Sequence, residues 1–184
     1  MKPILKPNLK LIFYFFLILI PTLSSSQTFT GLNLNCYPVS IETNDTQLKC
    51  PLILCITQDI MCCSESPVQN GGYVYDVTTV TNCVTIPADG SSVNICFWEP
   101  DLLSYECGCT IIGTSITIKR EGSEPETITI PSSIINDFLN ILNGTSTTDL
   151  QLPSFQKDCN GQDYLNYVGL SYNPITRKFV FLHP

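Results

Sequence analysis

Ten cysteines dominate the chemistry open to this chain of 184 residues: Cys36, Cys50, Cys55, Cys62, Cys63, Cys83, Cys96, Cys107, Cys109 and Cys159. Thiols at this density serve either as disulfides or as metal ligands. Cys50-x4-Cys55 followed by Cys62-Cys63 offers four thiolates, but structural zinc sites use short-spaced pairs and belong to reducing compartments. The first residues decide between the two. Residues 1–10 carry Lys2, Lys6 and Lys10 and no acid; residues 11–20 (LIFYFFLILI) are wholly apolar; Pro21 and the small residues Ser24 and Ser26 follow. A basic start, a short apolar run and a small-residue site form a secretory signal peptide. The apolar stretch ends by Leu23 and is interrupted by Pro21, short of the roughly 20 residues of a membrane span. The expectation is cleavage after Ser26, an extracellular destination, disulfides at all ten cysteines, and no metal or cofactor.

Other reactive constellations are sparse. His183 is the single histidine, so a histidine base or metal ligand would rest on one residue near the chain end, where fraying is the rule. Cys62-Cys63 resembles the double cysteine of secreted phospholipases, without a histidine beside it. Glu99 and Asp101 flank Pro100, and Glu121, Glu124 and Glu126 cluster in a turn. Paired carboxylates hydrolyse glycosides, yet the composition around both groups reads as solvated loop. No glycine-rich phosphate loop and no Gly-x-Ser-x-Gly occurs. No catalytic residue is therefore assigned. Acidic residues number 16 against 9 basic ones, and the only adjacent basic pairs are Lys119-Arg120 and Arg177-Lys178. Nucleic-acid binding needs clustered positive charge, so it is excluded. Loss of residues 1–26 removes three lysines and leaves a net charge of −10. The last residues are too short an apolar tail for a lipid-anchor signal.

Cysteine spacing divides what remains. Nine cysteines fall in residues 36–109 and one in residues 111–184. The first density is that of a disulfide scaffold and the second that of a packed domain. The expected organisation is a signal peptide over 1–26, a cysteine-rich domain over 27–110, and a β-hairpin and helix region over 111–184, packed on or stapled to the first. Because nine is odd, Cys159 should reach back into residues 36–109, with Cys107 or Cys109 the expected partner. Cys62–Cys63 and Cys107–Cys109 are too close to bridge internally, so each pair should send bonds in two directions.

The elements that must position these residues read as mostly β. Residues 27–49 are polar and without periodicity. Residues 73–80, after Asn70-Gly71-Gly72, and residues 93–98 read as strands, with turn chemistry over 87–92. Residues 114–120 and 126–130 alternate isoleucine with polar residues and form the clearest hairpin, placing Ile116 with Ile118 and Ile128 with Ile130 on shared faces. Residues 131–144 form the one helix, capped by Ser132 or Ser133, with a stripe of Ile134, Ile135, Phe138, Leu139, Ile141 and Leu142, ended by Asn143-Gly144. Residues 167–172 and 177–182 read as a closing hairpin around Asn173-Pro174. The fold class is mostly β, a disulfide-rich N-terminal half and a C-terminal half of β-hairpins with one short α-helix. Asn44-Asp45-Thr46 and Asn143-Gly144-Thr145 are glycosylation sequons. Trp98, with Phe97 and Tyr105, lies among Cys96, Cys107 and Cys109; it is either an exposed binding anchor or, in keeping with burial habits, a ring packed on disulfides.

Leu34-Asn35-Cys36-Tyr37, the spacing Cys83-x12-Cys96-x10-Cys107-Gly108-Cys109 and Cys159-Asn160 resemble the Ly6/uPAR (three-finger) domains, over residues 34–109. The resemblance implies a small disulfide-cored β fold whose fingers bind proteins without catalysis. The 49 residues between Cys109 and Cys159, and the early Cys62-Cys63, depart from that pattern, and no binding residue is carried over. The function expected is that of a secreted, disulfide-rich, non-catalytic protein that binds an extracellular protein partner. The alternatives are a cross-linked structural component, or a small secreted hydrolase using carboxylates alone.

Overall fold

The computed structural model describes residues 28–43, 48–66, 72–103, 106–164 and 169–182. Residues 1–26, the expected signal peptide, and Asn44, Tyr105 and His183 lie outside them. The chain is mostly β with one short helix, as the sequence pattern implies. In order the elements are β1 (Leu32–Thr43), β2 (Leu52–Glu65), β3 (Tyr73–Ile86), β4 (Val93–Pro100), β5 (Cys109–Arg120), β6 (Glu126–Thr129), a 3-10 turn (Ser132–Ile134), α1 (Ile135–Leu142), β7 (Leu150–Leu152), β8 (Gly169–Asn173) and β9 (Lys178–Leu182).

Two sheets result, ordered β4-β1-β9-β8-β7 and β3-β2-β5-β6. All pairings are antiparallel except β1 with β9, where Ser40 lies opposite Lys178 and Thr43 opposite Phe181. Strands from both sides of residue 110 share each sheet: β9 lies against β1, and β5 against β2. One apolar core takes Val39, Leu54, Ile56, Phe97, Ile116, Phe138, Tyr172 and Phe179 from both sheets and the helix.

β2 is formed by strict alternation. Leu52, Leu54, Ile56, Gln58 and Ile60 point inward and are buried, with half-exposed residues between them. β1 arises in the polar stretch that lacks periodicity because only Val39, Ser40 and Ile41 are inside together with Leu32; the strand is held by β4 along its first part and by β9 along its last. The isoleucine hairpin forms in the expected register, Ile118 opposite Ile128.

The helix departs from expectation at its start. Neither serine caps it through its side chain. The chain enters through the 3-10 turn, whose Ile134 N–H donates to the Pro131 carbonyl at 3.0 Å, so a backbone turn replaces the serine cap. Gly144, at φ +79°, ends α1 in the left-handed conformation that glycine tolerates.

All ten cysteines pair, as Cys36–Cys96, Cys50–Cys159, Cys55–Cys83, Cys62–Cys109 and Cys63–Cys107. Cys159 does reach back, but to Cys50 rather than to Cys107 or Cys109. The two cysteine doublets bond each other instead of diverging, because β2 and β5 set Cys62 directly opposite Cys109 and leave Cys107 on the approach to that strand. Cys36–Cys96 and Cys55–Cys83 likewise join directly opposed residues, so three bonds pin strand register, which one-residue slips would otherwise invert.

Candidate functional site

Alternation along β1 and β4 places Asn35, Tyr37, Phe97 and Glu99 on one face of the pair. Glu99 is the centre of that face. Its Oε2 accepts from Asn35 Nδ2 at 2.6 Å and from the Tyr37 hydroxyl at 2.5 Å; its Oε1 accepts from Asn143 Nδ2 at 2.9 Å. Partial burial pushes this carboxyl up, and the bonds from Tyr37, Asn143 and Asn35 outweigh it, so Glu99 sits below its ordinary value of 4.5. Burial and the adjacent Glu99 raise the Tyr37 phenol to about 12. The acid expected in a solvated loop is thus a half-buried, triply bonded carboxylate within a strand.

Glu99 stands at the wall of an open groove of about 610 Å³, bounded by β4, by the stretch Ile111 to Thr114 of β5, and by the α1 face of Asn136, Leu139, Asn140 and Asn143. A β-bulge shapes the β5 side: Asp59 opposes Gly113 and Ile60 opposes Ile111, leaving Ile112 unmatched and 53% exposed. Gly113 leaves room there: a Cβ would approach Asp59 Oδ2 to 3.0 Å, so that side chain would have to give. Gln58 closes the floor. Its buried amide donates Nε2–H to the Trp98 carbonyl at 2.9 Å and accepts the Trp98 N–H at 2.7 Å. That pair of bonds joins β2 of one sheet to β4 of the other. Trp98 itself is buried against Leu32, Ile60 and the Cys62 and Cys109 side chains, with Phe29 edge-on at 4.8 Å. It is the packed ring of the two readings, not an exposed anchor.

Glu99 is the one carboxylate among the residues lining the groove. The other acids singled out by sequence are engaged elsewhere. Glu121 pairs with Lys119 at 2.9 Å, Glu124 with Lys157 at 2.5 Å, and Glu126 accepts the backbone N–H groups of Gln156 and Lys157. Glu126 therefore organises backbone rather than standing free in a solvated turn. Arg120, half of a basic pair in the sequence, is fully buried and donates to the Asp158 and Glu124 carbonyls, with Phe155 6.0 Å from its guanidinium. No cluster of three metal-ligating side chains occurs among the described residues.

A second surface lies at the far end of β2 and β3. β3 is a sheet edge of 14 residues, and among the described residues no strand pairs with its outer side. Beyond Ile60 both faces open. Tyr73, Val74, Tyr75 and Val77 are exposed, Tyr75 by 60% and Val77 by 57%. Cys62–Cys109 and Cys63–Cys107 brace the base of this projection against β5. Sequence reasoning found the strand but not its edge position, which depends on pairings between residues far apart.

Comparison with protein-family models, with curated proteins and with solved structures finds no match to this chain. Fold and bonding define a disulfide-rich β protein, with five disulfides and no free thiol, the bonding typical of extracellular chains; among the described residues no helix is long and apolar enough to cross a membrane.

Proposed function

We propose that this chain is a secreted, non-catalytic binding protein that engages an extracellular protein partner through the open edge of β3. The observation that carries the reading is the exposure of Tyr73, Val74, Tyr75 and Val77 on both faces of an unpaired edge. Natural sheets guard long edges with charged side chains, proline or bulges; the projecting part of β3 carries one charge, Asp76, and neither lysine, proline nor bulge. A lightly guarded edge with tyrosines suits strand addition, in which main-chain bonds give affinity and alternate side chains give specificity. Residues 1–26 supply the secretion signal. The likeness of residues 34–109 to three-finger domains favours the same class, since such domains bind proteins through β fingers. The cross-linked structural alternative needs spare thiols, and all ten cysteines are bonded within the chain.

The test is a binding screen of the labelled, secreted chain against extracellular domains, run beside Tyr75→Lys/Val77→Lys. Both positions are exposed, so the variant should fold. Partners bound by the native chain and lost by at least tenfold in the variant are expected. Partners bound equally by both forms would remove β3 from the proposal.

A further inference from the structure

We propose that the groove beside Glu99 holds a carbohydrate carried by the chain itself, the first sugars of an N-glycan attached to Asn143. The proposal rests on the secretion reading above but not on the β3 edge.

The first support is the amide at the attachment point. Asn143 Oδ1 accepts the Thr145 N–H at 3.0 Å and the Thr145 hydroxyl at 2.7 Å, while Nδ2 donates to Glu99 Oε1 at 2.9 Å. A carboxamide nitrogen has two hydrogens. Glu99 takes one, and among the described residues the other has no acceptor. Transfer replaces a single hydrogen: Nδ2 bonds to the anomeric C1 of N-acetylglucosamine, the bond from C1 to a lipid-linked diphosphate donor breaks with its electron pair leaving on the phosphate, and the amide proton passes to a base of the transferring enzyme. The secondary amide that results keeps one N–H for Glu99 and both acceptor bonds on Oδ1. With the retained N–H on Glu99, each of these hydrogen bonds of the Asn143 side chain survives the modification.

The second support is the chemistry of the groove. Asn136, Asn140 and Asn143 lie four and then three residues apart, a spacing that stacks side chains along one helical face, and all three line the groove. Asn136 and Asn140 are exposed there, each with two donors and an acceptor suited to hydroxyl and acetamido groups. Across from them Ile112 and Pro100 present exposed apolar surface, while Leu139 adds a half-buried apolar side chain on the asparagine side. A pyranose ring has polar edges and apolar faces, and this groove offers surface of both kinds. Apart from Glu99, already bonded three times, its lining carries no charge, which matches a neutral ligand. Tethering supplies a high effective concentration, so weak intrinsic contacts suffice.

The experiment uses the full chain expressed in a eukaryotic secretory host as Asn44→Gln, which leaves Asn143 in the only remaining sequon. Glycopeptide mass mapping reads attachment. After trimming to a single N-acetylglucosamine, proton NMR reads contacts between the acetyl methyl and the side chains of Ile112 and Leu139. Amide exchange over residues 136–143 is compared with the same sequence refolded oxidatively without glycan. Glycan at Asn143, acetyl contacts to the groove, and exchange slowed several-fold are the expected results. A modified Asn143 whose sugar shows no groove contact and leaves exchange unchanged would overturn the proposal alone. A chain retained inside the cell and bearing no glycan would overturn it together with the secretion reading.

Discussion

Asn143, the residue that follows the last turn of α1, is bound to Glu99 of β4 by an Nδ2–H···Oε1 bond of 2.9 Å that spans 44 positions of sequence. With Tyr37 and Asn35 of β1 on the other carboxylate oxygen, one side chain ties a helix end to two strands. Acid strength and helix docking are therefore linked.

Glu99→Gln should show that link. Glu99 is held below 4.5 in the folded chain, so its contribution is complete above the unfolded value and is lost as pH falls through the lower folded one. The side chain is only partly buried, so solvent screening should hold the loss at pH 7 to about 1 kcal/mol, below the roughly 1.5–3 kcal/mol of bonds to a charged group. Urea midpoints between pH 3 and pH 7 should converge for the two proteins in acid. A constant gap across that range would remove the charge from the explanation.

The Tyr37 phenol should ionise near 12. Burial is the larger cause and Glu99 the second, so Glu99→Gln should lower the value without returning it to 10.0. Ultraviolet titration of tyrosinate, with Tyr37→Phe to assign the signal, measures it. Tyr172, buried with an unpartnered hydroxyl, is also pushed up to about 12 and should not respond to the Glu99 change.

Gln58→Leu should cost about 2–4 kcal/mol, because it strands both the N–H and the carbonyl of buried Trp98. Gln58→Glu retains the acceptor but loses the amide donor, and at neutral pH should be no better. Thermal or urea unfolding checks this; a leucine variant as stable as the parent would mean that water replaces the amide.

Cys159→Ser with Cys50→Ser opens the bond of longest separation, 109 residues. The other bonds already shorten the effective loop, so the expected loss is about 2–4 kcal/mol. Hydrogen exchange should rise around Ser123, whose N–H donates to the Cys159 carbonyl at 3.1 Å, and around buried Arg120. Uniform change over the whole chain would show a global rather than local effect. Gly122→Ala attacks the same contact from the other side, since its Cβ would meet the Cys159 carbonyl at 2.5 Å.

Local pattern carried much of this fold. The isoleucine hairpin, the stripe on α1 and the strand character of β3 and β4 each depend on residues near in sequence, where period and turn chemistry suffice. β2 was legible too, in the alternation of Leu52, Leu54, Ile56 and Ile60, but its cysteines drew the reading toward scaffold rather than strand. β1 was not legible: six of its twelve residues are exposed, and it exists because β4 and β9 pair with it. Glu99 was noticed only as an acid beside a proline. Its meaning comes from Asn35, Tyr37 and Asn143, which no spacing rule brings together. The Cys50–Cys159 bond has the same character: parity demanded a partner for Cys159, and only the docking of the β5–β6 turn against residues 158–161 chose which.

The place of β9 between β1 and β8 has a consequence for biosynthesis. Until residues 178–182 have been made, the five-stranded sheet consists of two detached pieces, β4 with β1 and β8 with β7. Translation adds about 5–20 residues per second, so on the secretory route proposed above nine cysteines would wait for seconds in an oxidising lumen before the strand that joins those pieces exists. Closure of that sheet must then wait for residues 178–182, however early its other strands are made. Thiols paired wrongly in the interval would need reshuffling by an isomerase, which makes the yield of native chain depend on the host's oxidative machinery.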